Sequence, residues 1–370
     1  MVEETLEKFG YNLEEIKRVK EYFENYYLSE KKISDNIKNC IKVMLDFQYS
    51  ISQIRKITSV FPGMFSYTDK SVKEKLMYLE SYGYNRTQII RMNIKNPYLL
   101  SHSIKDLEEK KSLLNDYGYS KEQIIKLTVY MPSIYRFSKE TITDKLNMLK
   151  EFDYKKEEII KMTTAFPQLL SLTRESIALK KEELKKIGYT EEQIKKIFFN
   201  QPPVLCYAKE NIKNKIIDLI KLGFTKEQVI TMTTTYPKIF GLNIENIKNV
   251  MLELKKYNFN EEQIRHIILE LPTVFGYDIE NIREKIEFLI SVGLKEVILK
   301  KPKNLMQGVS LTYARYRYLT EEKEIDIQVE NCGCLFKNKK EFEKKFEIGT
   351  ETLLNKYNYY EEVRAKRKKC

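Results

Sequence analysis

The 370-residue chain has little of the side-chain chemistry that marks enzymes and metal sites: two His, His102 and His266, and five Cys, Cys40, Cys206, Cys332, Cys334 and Cys370. Five thiols in a chain this long cannot make the dense framework of a secreted scaffold, so a reducing compartment without disulfides is expected. Cys332-Gly-Cys334 lacks the two-residue spacing and the partner ligands of a zinc site, and no Walker A or dinucleotide Gly-rich loop occurs. No metal, no cofactor and no catalytic residue are therefore assigned. Twelve Gly and nine Pro are too few for collagen-like or linker classes. No apolar run approaches the roughly 18 residues of a membrane-spanning helix, so no membrane is expected. The opening MVEETLEKFG is acidic and lacks both the apolar core of a secretory signal and the Arg/Ser-rich character of a transit peptide, which gives a cytoplasmic expectation.

What is present is enough to fold. At 42% hydrophobic and 32% charged, the chain can bury a sizeable core. A formal charge of +12 selects a polyanion as a partner class. Lys outnumbers Arg, and Ile, Asn and Tyr are abundant, so part of that charge reflects AT-rich coding.

The strongest signal is a period of 35 residues. Pro62, Pro97, Pro132, Pro167, Pro202, Pro237 and Pro272 keep that spacing without an insertion. An apolar residue stands three positions after each (Phe65, Leu100, Tyr135, Leu170, Leu205, Phe240, Phe275), and Leu recurs from Leu79 to Leu289 before a break that is often Gly. Residues 48–292 thus hold seven units.

Each unit reads as helix, Pro break, helix, Gly break. The first helix opens on a capping box, as in Ser50 with Gln53 or Thr190 with Gln193, and only Lys155 lacks the polar cap. Proline ends it, having no amide to donate. A second cap (Thr68, Ser103, Ser138, Thr173, Asn243, Asp278) opens the second helix. Two short amphipathic helices cannot bury their stripes alone, whereas stacked neighbours can, so the expectation is an all-α helical-repeat solenoid of fourteen helices. Residues 1–47 read as a degenerate capping unit with Tyr27 in place of the proline. Residues 293–320 read as a shortened one around Pro302, and 321–370 as a helical, basic tail outside the period.

Tetratricopeptide and pentatricopeptide repeats need Ala and Gly where their helices approach closely, and five Ala in the whole chain exclude that pattern. Units such as YPKIFGLNIENIKNVMLELKKYNFNEEQI and LPTVFGYDIENIREKIEFLISVGL, with Leu311–Leu319 carrying Arg315 and Arg317, resemble mitochondrial transcription termination factor (mTERF) repeats over about 48–320. The resemblance implies a curved superhelix that lies along double-stranded nucleic acid and acts in transcription termination, transcription regulation or RNA metabolism, in an organelle where a presequence exists. It also marks Arg315 and Arg317 as nucleic-acid-binding candidates.

Two basic columns are the other candidates. Six residues before each Pro stand Lys56, Arg91, Lys126, Lys161 and Lys196, then Thr231 and His266. This position points away from the apolar stripe and is expected to be exposed. The second column is Lys75, Lys110, Lys145, Lys180, Lys215 and Lys285, with Val250 as the exception. It lies about 60° from the Val72 column and 40° from the Leu79 column, so these side chains are expected to snorkel to a rim. Charges spaced about 8–10 Å along stacked helices would always meet phosphates. The position two before Pro (Val60, Lys95, Tyr130, Ala165, Asn200, Thr235, Glu270) varies and is the candidate for sequence reading. The expectation is a monomeric, non-enzymatic binder of nucleic acid, duplex DNA before RNA. An RNA-metabolism factor and a protein scaffold with incidental basic charge remain as alternatives.

Overall fold

The computed structural model is described for residues 1–24 and 28–367. Tyr27, in the register of the missing first proline, and Lys368, Lys369 and Cys370 at the end of the basic run lie outside the described residues. The described chain is helical with no strand, and it divides into two compact units, Met1–Leu179 and Lys180–Cys370. The division between them falls within helix Arg174–Ile187.

Between Ile51 and Ser291 the chain forms fourteen α-helices, and each of the seven prolines opens a five-residue 3-10 turn between two of them. The first repeat shows the rule. Helix Ile51–Val60 starts on a complete Ser50/Gln53 capping box, turn Pro62–Ser66 begins where the helix can no longer receive an amide, and helix Asp69–Tyr82 starts where Thr68 accepts from the Ser71 amide. Lys155 has no acceptor to offer, so helix Lys156–Ala165 keeps only the reciprocal half, Lys155 N–H to Glu158 at 2.8 Å. The break after the second helix needs a left-handed residue. Gly83 (φ 118°) and Gly118 (φ 108°) fill it, and in two repeats Asp153 and Asn258 take the same conformation at φ 64° and 57°.

The core is a set of columns. Ile54, Ile57, Leu79 and Phe65 are fully buried in the first repeat, as are the counterparts Ile194, Ile197 and Leu219 in the fifth, where Leu205 takes the place of Phe65 and is also buried. Each such side chain stabilises by about 1.5–3 kcal/mol, so Leu114→Ala should cost about 2–5 kcal/mol. A polar bolt runs through the same core: the hydroxyls of Tyr84 and Thr128, Tyr119 and Thr163, and Tyr189 and Thr233 pair at 2.6–2.7 Å across adjacent repeats. Where the Tyr column becomes Phe224, the Thr column becomes Ile268, so no hydroxyl is stranded.

The expected tail is not free of the pattern. After helix Val309–Glu321, a 3-10 turn Cys332–Phe336 occupies the place of a proline turn and leads into helix Lys339–Phe346. Helices Thr350–Lys356 and Tyr359–Arg367 follow. At the other end, helix Val2–Lys8 packs on both Leu13–Phe23 and Glu30–Asp46, and this segment meets the first repeat through Glu15 and Arg55 at 2.7 Å and through the hydroxyls of Tyr11 and Thr58 at 2.8 Å.

Candidate nucleic-acid interface

Helix geometry sets the first column outward. Lys56, Arg91, Lys126, Lys161 and Lys196 are all exposed, as are Thr231 and His266. In a ten-residue helix whose core contacts come from positions such as Ile54 and Ile57, Lys56 falls about 100° from one and 200° from the other, beyond reach of the core. Unit Met1–Leu179 carries four of these cations and unit Lys180–Cys370 one. One turn earlier stands a column of exposed carboxylates, Glu122, Glu157, Glu192, Glu227 and Glu262, but the first two repeats have Ser52 and Thr87 there. Positive potential is therefore least offset at Lys56 and Arg91.

A further cation, Lys95, reinforces this region. Arg91 lies over the Tyr130 ring at 5.1 Å and Lys95 at 5.8 Å, and Lys95 also donates to the Tyr130 carbonyl at 3.2 Å. Burial, then the Arg91 charge, lowers the Lys95 pKa. Lys95 belongs to the variable position, all seven members of which are exposed at the ends of the first helices.

The second column does not snorkel. Lys75, Lys110, Lys180, Lys215 and Lys285 are buried and Lys145 is half-buried. Five of the six ammonium groups donate to a backbone carbonyl in or just after the 3-10 turn of the next repeat: Lys75 to Leu100 at 2.6 Å, Lys110 to Tyr135, Lys145 to Leu172, Lys180 to Tyr207 at 2.7 Å, and Lys215 to Leu242. Lys285 instead meets the Thr312 hydroxyl. A 3-10 turn leaves carbonyls without helical partners, and an ammonium on the preceding repeat supplies them with protons. Burial lowers the pKa of Lys75 and Lys215, and burial together with Arg315 lowers that of Lys285 to about 7. These lysines clip repeat to repeat, which corrects their assignment to a phosphate-facing rim.

Arg315 is corrected for the same reason. It stands in the Lys285 register one turn-and-helix later and is fully buried over the Phe342 ring at 4.2 Å. Its guanidinium donates to the carbonyls of Leu335 (2.9 Å) and Lys337 (2.6 Å), in and after turn Cys332–Phe336. Arg317 is half-buried and committed to carboxylates, pairing with Glu321 and with Glu362 at 2.6 Å. The register could have found Arg315, since both it and Lys285 follow their prolines by the same interval.

The two histidines make local contacts. His102 holds Asp106 at 2.9 Å and has its pKa lowered by burial and by Lys110, and His266 meets the Leu299 carbonyl at 3.0 Å. Cys332 and Cys334 lie in a 3-10 turn, and among the described residues no group of three or more His, Cys, Asp or Glu could hold a metal ion. No described helix is long and apolar enough to cross a membrane. Lys111 escaped the sequence reading: it occupies a column filled by Leu76, Leu146 and Ile216, and its ammonium sits over Tyr78 and Tyr82 at 4.1 and 3.7 Å. Burial lowers its pKa to about 8.

Proline-punctuated helix pairs with core columns in register define a helical-repeat solenoid that presents cations on its first helices. The mTERF family model matches residues 73–221 and 181–343, more than half of the sequence, and the chain belongs to that family. No curated protein matches it. Members of the family are generally non-enzymatic nucleic-acid binders, and membership suggests a role in transcription or RNA regulation.

Proposed function

We propose that this chain is a non-enzymatic binder of double-stranded nucleic acid, DNA in preference to RNA, that acts in transcription termination or regulation. One observation carries the reading: four in-register cations, Lys56, Arg91, Lys126 and Lys161, stand exposed on successive first helices of unit Met1–Leu179, and Lys196 keeps the register in the other unit, while the second column is buried or half-buried. Only the exposed column has the geometry to meet a polyanion. With Lys95, it supplies roughly five or six phosphate contacts, where both columns together would have supplied about 6–10, and each contributes about 0.9 to the salt slope of binding. Such contacts position a duplex without reading its bases.

The test is the triple variant Arg91→Ala, Lys126→Ala, Lys161→Ala. Duplex affinity should fall roughly 100-fold near 0.15 M salt, by a similar factor for unrelated sequences, and the slope of log affinity on log salt should flatten by up to about three. Melting should barely move, because Ala is a good helix former and the side chains removed are exposed. Duplex DNA and duplex RNA of one sequence, titrated side by side, decide between the two. An unchanged affinity and slope for both would move the scaffold reading ahead.

A further inference from the structure

The outward face of the second helices changes character along the chain. In the first repeat its two columns carry Met77 and Glu80, and in the second and third Ser112, Asn115, Asn147 and Lys150. In unit Lys180–Cys370, after Glu182 and Lys185, the same two columns carry Ile217 and Ile220 on helix Lys209–Lys221, Leu252 and Lys255 on helix Ile244–Lys256, and Glu287 and Ile290 on helix Ile279–Ser291, the four aliphatic residues being exposed by 37, 43, 57 and 38%. These aliphatic side chains are surplus to a core that Ile212, Ile216 and Leu219 already fill. Around them Lys213, Lys221 and Lys255 are exposed and form no ion pair among the described residues, whereas Lys248, Lys256 and Arg283 are matched by Glu245, Glu253 and Glu280.

We propose that this face docks an acidic amphipathic helix of a protein partner, laid across the three second helices. Packed helices are about 8–10 Å apart, and seven residues of an α-helix rise about 10.5 Å, so apolar residues at heptad spacing would meet Ile217 and Ile220, then Leu252, then Ile290. Glu or Asp flanking that stripe would meet Lys213, Lys221 and Lys255. A narrow row of single aliphatic side chains with polar residues between them fits a helix rather than the broad apolar face that inserts into a bilayer.

The test uses the full chain and a fluorescein-labelled 21-residue helical peptide with Leu at heptad positions flanked by Glu, followed by anisotropy. Saturable binding is expected, weakened about tenfold or more by Leu252→Asp and by the pair Lys213→Glu, Lys221→Glu. It should survive in the Arg91/Lys126/Lys161 triple variant, which separates this face from the nucleic-acid surface. Circular dichroism should show each variant folded, as expected for exposed positions. Four results would overturn the proposal. They are absence of saturable binding, equal binding of a peptide with Lys in place of Glu, a concentration-dependent dimer that Leu252→Asp abolishes, and sedimentation with phosphatidylserine vesicles that Leu252→Asp abolishes.

Discussion

Two columns of cations run through the same repeats with the same period, and they end in opposite environments. Lys126, on a first helix, stands in solvent, while Lys110, on the preceding second helix, is buried against Asp106 at 2.8 Å and the Tyr135 carbonyl. Residue type and regularity do not separate them. What does is the angle to the core and whether the next repeat lays a turn across the side chain. The exposed column is free to drift, and does so at Thr231 and His266. The buried column departs from Lys at two places: Val250 drops the ammonium, and Arg315 serves two carbonyls at once. Repetition of a charged residue is thus evidence of a role without naming it.

The contrast is broken most severely at Arg315. Arg315→Ala leaves the carbonyls of Leu335 and Lys337 without their donor and empties the site above Phe342, and should cost about 3 kcal/mol in chemical denaturation. If Arg315 instead served an exposed phosphate site, stability would hold and binding would fall. A pH effect comes next. With a folded-state pKa of about 7 against an ordinary Lys near 10.4, the unfolded chain binds the extra proton between those values, so the Lys285 contribution to stability rises with pH across that window. The penalty is fully present below pH 7. Lys285→Met should remove about 2 kcal/mol of the stability gain between pH 7 and 9, seen as a flatter curve than wild type.

A smaller loss, about 1–2 kcal/mol, is expected for Lys180→Met, which strands the Tyr207 carbonyl yet leaves the solvent-facing ladder intact. The smallest effect sharpens the rule for buried columns. Tyr119→Phe should cost about 1 kcal/mol by leaving Thr163 without its cross-repeat partner. Adding Thr163→Ile should recover most of that loss, because Phe224 with Ile268 is the natural version of the same pair. A double-mutant cycle in thermal unfolding measures the coupling.

Much of the fold was legible because local rules set it. Pro62 through Pro272, the Ser50/Gln53 type of cap and the Gly83 type of break each act within a few residues, and their repetition at 35 residues fixes the pairing of helices. The exposure of Lys56 and Arg91 followed from the helical period alone. The burial of Lys75 and its column did not, because a position 40–60° off the core stripe is exposed on an isolated helix and becomes covered only when the next repeat supplies Leu100 or Tyr207. The continuation of the pattern past residue 320 was hidden because Cys332 stands where a proline would have announced the turn. Lys111 was hidden for the opposite reason: a charged residue in a core column reads as surface until Tyr78 and Tyr82 are seen around it.

The central claim is that exposed cations meet phosphate and buried cations hold repeats together. The most direct measurement is the salt dependence of duplex DNA affinity for wild type, the Arg91/Lys126/Lys161 triple Ala variant and the Lys110→Met, Lys180→Met pair, each confirmed folded. The account predicts a slope flattened by up to about three in the exposed variant and a wild-type slope in the buried pair, whose loss appears in melting instead. A buried pair that flattens the slope while keeping its melting temperature, or an exposed triple that leaves the slope unchanged, would contradict it.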